Sequence, residues 1–132
     1  MIRGSCLCNS ITFTIDEGLH DGRYCHCTHC RKFSGTCPAV WAIAKTSSLT
    51  VVSSTARVSK YDSGRGLRCF CSNCGSPVWF ESLDFPEIIA IPLGALDSED
   101  LKAPEMHIWT QSQPSWATIS DDLPQYETLP QP

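Results

Sequence analysis

Along most of the chain, apolar and polar residues alternate with the period of two that an extended strand imposes. In "SITFTID" (10–16), Ile11, Phe13 and Ile15 share one face. The segments "LTVVSS" (49–54), "ARVSKYDS" (56–63), "GLRCFCS" (66–72), "SPVWFES" (76–82), "EIIAIPLGAL" (87–96) and "MHIWTQSQ" (106–113) have the same character, with turn residues between them. "TCPAVWAIA" (36–44) is short and apolar, interrupted early by Pro38, and reads as a buried strand. Helical periodicity is weak throughout: "THCRKFSG" (28–35) suits a short turn or helix ending at Gly35, and "DSEDLK" (97–102) suits a single turn. Strands recurring every eight or so to about twelve residues, punctuated by turn signals, predict an all-β domain. From about residue 117 the chain is expected to form an extended, partly ordered strap, ending in "DDLPQYETLPQP". A length of 132 residues suits one domain spanning 1–132.

Composition narrows the function. Hydrophobic residues make up 42% of the chain, enough for a core, and charged residues only 18%, too few for long solvated helices. A net charge of −4 argues against a general nucleic-acid binder, which needs a basic face, but leaves room for one local basic pocket. The opening residues "MIRGSCLCNSITFTID" contain no apolar stretch of signal-peptide type. No apolar run approaches the roughly 20 residues that span a membrane. A soluble, cytoplasmic protein with no membrane partner is therefore expected. In that compartment nine cysteines mean metal binding or catalysis more often than disulfides, and an odd number excludes complete pairing within one chain.

Eight of the cysteines fall into three clusters, Cys6 and Cys8 in "CLC", Cys25, Cys27 and Cys30 in "CHCTHC", and Cys69, Cys71 and Cys74 in "CFCSNCG", while Cys37 stands apart. A C-x-C pair on extended backbone puts both sulfurs on one face. A C-x-x-C turn points two sulfurs at one centre, with Gly75 supplying the permissive backbone. Together Cys6, Cys8, Cys71 and Cys74 make the Cys₄ set of a closed structural zinc site. Such a metal would staple the start of the chain to its middle. Cys25, Cys27 and Cys30 supply three ligands. Three protein ligands with an open fourth corner is the catalytic arrangement of zinc. His29, Cys69 and Cys37 are rivals for that corner, whereas His26 lies between two ligands and would point away on a strand. Cys37 and Cys69 are otherwise read as buried, inert thiols.

In order along the chain, "GSCLCNSITF", "YCHCTHCRKFSG" and "FCSNCGSPVW" resemble the glutathione-dependent formaldehyde-activating enzyme family, which includes centromere protein V. The later "IPLGALD" and "HIWTQSQPSW" with "DDLPQY" are similar to that family too, so the resemblance runs from about residue 3 to residue 127. It implies an Mss4-like β-tent of small antiparallel sheets with zinc knuckles. It implies a structural zinc on Cys6, Cys8, Cys71 and Cys74 and a catalytic, labile zinc on Cys25, Cys27 and Cys30. It implies glutathione as co-substrate, joined to formaldehyde to give S-hydroxymethylglutathione, a carbon–sulfur lyase reaction in reverse. One departure is Asn9, where the family usually has glycine. Asparagine tolerates left-handed backbone angles, so the turn is expected to survive.

A metal-bound thiol is deprotonated, so an open corner opposite three thiolates suits a small-molecule thiol substrate. Three thiolates and Zn²⁺ sum to −1, which weakens the metal as a Lewis acid and favours thiolate delivery over water activation. For the two carboxylates of glutathione the candidate partners are Arg31, Lys32 and Arg65, with Arg68 nearby in sequence; arginine offers a bidentate fork. Trp41, Trp79, Trp109 and Trp116 are candidates for a pocket wall or for sheet packing. His107 is a candidate proton shuttle or a structurally satisfied histidine; Tyr61 and Asp62 carry no argument of their own. The alternative to an enzyme is a zinc-stabilised, non-catalytic binding module.

Overall fold

The computed structural model describes residues 1–130 apart from Ser54 and Glu99. Among the described residues the elements in chain order are β1 (Ile2–Ser5), β2 (Thr12–Ile15), β3 (His20–Cys25), α1 (Thr28–Ser34), β4 (Ala39–Lys45), β5 (Leu49–Ser53), β6 (Val58–Asp62), β7 (Gly66–Cys71), β8 (Pro77–Ser82), β9 (Ile88–Pro92) and β10 (Met106–Ile108), with short 3₁₀ turns between some of them. The described residues are thus mostly β, with one seven-residue helix, in keeping with an all-β, Mss4-like fold. Among the described residues no helix is long and apolar enough to cross a membrane.

Two compact units divide the chain. The first comprises Met1–His20 and Ala42–Leu101; the second contains Asp21–Trp41 and the chain from Lys102 onward.

In the first unit, β1 and β2 pair antiparallel, from Ile2 opposite Ile15 to Ser5 opposite Thr12, and β2 also pairs antiparallel with β5. The strands β6, β7, β8 and β9 form an antiparallel ladder in chain order. Alternation does here what it predicted: Ile11, Phe13 and Ile15 are all buried, with Val78, Ile89 and Ile91. Each such aliphatic side chain contributes about 1.5–3 kcal/mol by leaving water. Phe13 meets Trp79 edge to face, ring centroids 5.6 Å apart at 80°, a favoured aromatic geometry. Cys6 and Cys71 pack into the same core. The strand expected over 49–54 ends at Ser53, and Ser54 lies outside the described residues. Of "DSEDLK", Glu99 lies outside the described residues, and the described remainder forms no helical turn.

In the second unit, β3 and β10 pair in parallel, with Arg23, Tyr24 and Cys25 opposite Met106, His107 and Ile108. This pair departs from the expectation of purely antiparallel sheets. Parallel neighbours need a long connection, and some eighty residues separate these two strands. β3 itself carries no alternation to read, since "HDGRYC" is polar at most positions. The strand expected over 106–113 stops after three residues because Trp109 is left-handed at φ 57° and opens a 3₁₀ turn. Backbone hydrogen bonds tie the strap to β10 and the turn after it. Backbone N–H groups of His107, Trp109 and Thr110 donate to the carbonyls of Pro124, Thr128 and Tyr126, and Tyr126 donates back to His107 at 2.9 Å. Its last two residues, Gln131 and Pro132, lie outside the described residues.

Candidate metal centres

Two groups of sulfur atoms converge, one in each unit. In the first, β1 leads into the turn that carries Cys6 and Cys8, where the N–H of Asn9 donates to the Cys6 carbonyl at 3.1 Å. Asn9 sits at φ 62°, the left-handed conformation the turn was expected to require. β7 ends at Cys71, and the following turn closes with Gly75 N–H on the Cys71 carbonyl at 2.8 Å, with Gly75 at φ 79°. Leu7 N–H donates to Ser76 Oγ at 2.9 Å and ties the two turns together.

The four Sγ atoms of Cys6, Cys8, Cys71 and Cys74 lie within 4.8 Å of one another. Cys6 and Cys8 are 3.7 Å apart, and Cys8 and Cys71 are 3.8 Å apart. A tetrahedral zinc with Zn–S bonds of about 2.3 Å has sulfur–sulfur edges of about 3.8 Å, so this donor set fits zinc. Donors already surround the sulfurs. Ile11 N–H reaches Cys6 Sγ at 3.2 Å, Asn73 N–H reaches Cys71 Sγ at 3.4 Å, and the Asn73 amide reaches Cys8 Sγ at 3.3 Å. The Asn73 amide, with Ser10, lowers the Cys8 pKa to about 5. Ser76 lowers that of Cys74 to about 7, while burial raises that of Cys6 to about 11.

In the second unit, β3 delivers Cys25, Cys27 is the N-cap of α1, and Cys30 follows in its first turn. The Cys30 N–H donates to Cys27 Sγ at 3.3 Å, a sulfur taking the capping role usually filled by oxygen. The helix ends as its sequence suggested, with Gly35 at φ 77° and its N–H on the Arg31 carbonyl at 2.9 Å. The three Sγ atoms lie within 4.8 Å of one another; Cys25 and Cys30 are buried and Cys27 is half-buried. Cys25 is pushed strongly upward by the neighbouring Cys27 and Cys30 thiols and by burial. Three crowded sulfurs cannot all ionise without a cation among them, and soft thiolates suit zinc. This set also fits the metal, with three protein ligands among the described residues.

Neither convergent set includes His29, Cys37 or Cys69. Cys69 is fully buried in β7, with its pKa raised to about 12 by burial and by Glu81. His29 is exposed on α1. Arg31 and Lys32 occupy the last turn of α1, in the same unit as the three-sulfur set. Arg65 is exposed between β6 and β7 in the other unit, where Arg68 is buried with its guanidinium 5.0 Å from the Phe80 ring centre. Tyr61 and Asp62, also in that unit, are exposed at the end of β6. Trp41 and Trp79 are buried, Trp116 is exposed, and Trp109 makes the left-handed turn after β10.

His26 is buried, and its ring bonds His107 rather than joining the sulfur set; His107 in turn bonds Asp121. Asp121 had no local signal in the sequence. Its partner lies fourteen residues away, and the two histidines are 81 residues apart.

A family-wide comparison matches residues 1–112 to the family described as "Glutathione-dependent formaldehyde-activating enzyme". A relative from Halomonas elongata, described as "Putative glutathione-dependent formaldehyde-activating enzyme", is 27% identical over 127 residues, covering 90% of this chain and 81% of its own. A crystal structure of a Rhodobacter sphaeroides protein superimposes with a TM-score of 0.65 at 24% identity, over 77% of this chain and 97% of that one, a likeness of fold. The match over most of the length, together with the two sulfur sets, places the chain in the glutathione-dependent formaldehyde-activating enzyme family.

Proposed function

We propose that the chain is an enzyme that joins the thiol of glutathione to formaldehyde, forming S-hydroxymethylglutathione, and cleaves the same carbon–sulfur bond in the reverse direction. The observation that carries this reading is the three-sulfur set of Cys25, Cys27 and Cys30, with Cys27 half-exposed, in a chain of this family. The Halomonas elongata relative bears the same description, which supports it. Cys6, Cys8, Cys71 and Cys74 would hold a structural zinc, and Cys25, Cys27 and Cys30 a catalytic one with an exchangeable fourth position. Bound there, zinc would keep a substrate thiol deprotonated at neutral pH.

The chain's own residues do the rest. The N-cap geometry at Cys27 and the first turn of α1 hold the sulfurs together without substrate. Arg31 and Lys32 put positive charge on the same helix for the carboxylates of glutathione. In the reaction a carbon–sulfur bond forms, the carbonyl π pair moves onto the formaldehyde oxygen, and that oxygen takes up the proton the thiol gave away. Holding the two reactants together supplies much of the acceleration in a step of this kind.

The test is magnetisation-exchange NMR with ¹³C-formaldehyde and glutathione, comparing the zinc-loaded chain with its Cys27→Ser variant. The expected result is an adduct exchange rate well above the uncatalysed one for the native chain only. A native rate equal to the uncatalysed rate would overturn the reading and favour a zinc-stabilised binding module.

A further inference from the structure

The second unit holds a buried chain of side chains that the reaction above leaves unused. His26, between two of the three clustered cysteines, has its Nε2 2.8 Å from His107 Nδ1. His107 Nε2 lies 3.0 and 3.1 Å from the two oxygens of Asp121. Both rings are buried, at 1% and 3% exposure, while Asp121 lies at the surface. Polar groups this deep are retained where each is satisfied.

With both rings neutral, one arrangement of protons satisfies them. An ionised carboxylate only accepts, so His107 Nε2–H donates to Asp121. His107 Nδ1 is then an acceptor, and His26 Nε2–H donates to it. The lone pair left on His26 Nδ1 faces Cys37 Sγ at 3.7 Å, where the thiol S–H is the donor. The Leu123 N–H at 3.0 Å anchors the carboxylate at the other end.

The His26 backbone is held as well, its N–H donating to the Ile108 carbonyl at 3.0 Å. It lies at the bend between β3, which ends at Cys25, and α1, which begins at Thr28. Ring and main chain together therefore set the twist of the one residue that separates Cys25 from Cys27. The Tyr24 ring stacks on His107, centroids 4.9 Å apart, and keeps that ring in plane.

We propose that His107 and Asp121 are positioning residues: acting through His26, they fix the backbone that carries Cys25 and Cys27 and so set how well the three sulfurs converge on a metal ion. This rests on the reading of that cluster as a metal site. Outer partners that orient metal ligands typically cost 10–100-fold in affinity when removed, and a loss of about that size is expected here.

The test uses the full chain loaded with Co²⁺ in place of zinc, read by its thiolate charge-transfer bands and by chelator competition. The Cys27→Ser variant supplies the spectrum of the four-sulfur site alone. His107→Phe keeps an aromatic ring, slightly larger, against Tyr24 but removes both hydrogen bonds; His107→Asn keeps an acceptor for His26. Asp121→Ala removes the anchor. His107→Phe and Asp121→Ala are expected to weaken Co²⁺ binding at the three-sulfur site by about 10–100-fold and to shift its bands. His107→Asn is expected to recover most of the affinity, and the four-sulfur site, an internal control for folding, to stay unchanged. A His107→Phe variant with native affinity and spectrum overturns the positioning role. Native protein that takes up metal only at the four-sulfur site overturns the metal reading of the cluster, and the positioning role with it.

Discussion

Cys8 and Cys69 show how far one residue type is reshaped by its surroundings. Cys8 is exposed among amide and hydroxyl groups that stabilise its thiolate, whereas Cys69 is sealed in a strand between Lys60 and Trp79. With the metal removed, Cys8 ionises above about pH 5 and Cys69 only near pH 12. Brief alkylation at pH 7 as a chelator strips the metal, before the chain unfolds, is therefore expected to modify Cys8 early and Cys69 last, in an order that peptide mass spectrometry reads directly. The core residue Phe13 makes a second expectation. It is 1% exposed and packs edge-on against Trp79. Phe13→Ala should cost about 3–5 kcal/mol in denaturant unfolding of the metal-loaded chain. At this scale the sequence was informative wherever chemistry is local: the ligand spacings and the left-handed turn at Asn9 could be read from a few neighbouring letters. The His26–His107–Asp121 chain could not, because its members meet only through folding.

Elements were legible in proportion to their amphipathicity. β2 and β9 alternate buried and half-buried positions and are marked by that pattern, whereas β7 and β8 bury neighbouring residues on both faces, Arg68 with Cys69 and Val78 with Trp79. β3 was hidden because it is held by pairing with β10 and by its neighbours rather than by an apolar face of its own. The order of the strap was hidden for the same reason: its backbone hydrogen bonds to β10 and the turn after it leave no trace in side-chain pattern. The helix α1 was visible through Gly35, which terminates it at φ 77°. A side chain at that position is strained in the left-handed region. Gly35→Val is thus expected to destabilise the metal-loaded chain by about 1–2 kcal/mol and to loosen the three-sulfur site more than the four-sulfur one. Thermal unfolding followed by cobalt absorption separates the two effects.

For the whole molecule, the zinc of the first unit is expected to act as a fold determinant. Cys6 and Cys71 belong both to the sulfur set and to the hydrophobic core, so losing the metal leaves buried thiols facing one another. Cys6→Ser or Cys71→Ser should unfold or strongly destabilise the chain, whereas Cys27→Ser should leave far-ultraviolet circular dichroism unchanged and lower the zinc content by one ion. Acid should release both metals, since protons compete for thiolate ligands. Chelator titration at neutral pH should take the three-ligand zinc first.

Cys25, Cys27 and Cys30 are expected to present a zinc with one exchangeable corner to a thiol. Zinc K-edge absorption of the loaded chain, recorded with and without millimolar glutathione, tests it most directly. The native protein should gain sulfur coordination when glutathione is added, and the Cys27→Ser variant should not. An unchanged sulfur count in the native protein, with no measurable glutathione binding, would mean that the three-sulfur site does not take the thiol.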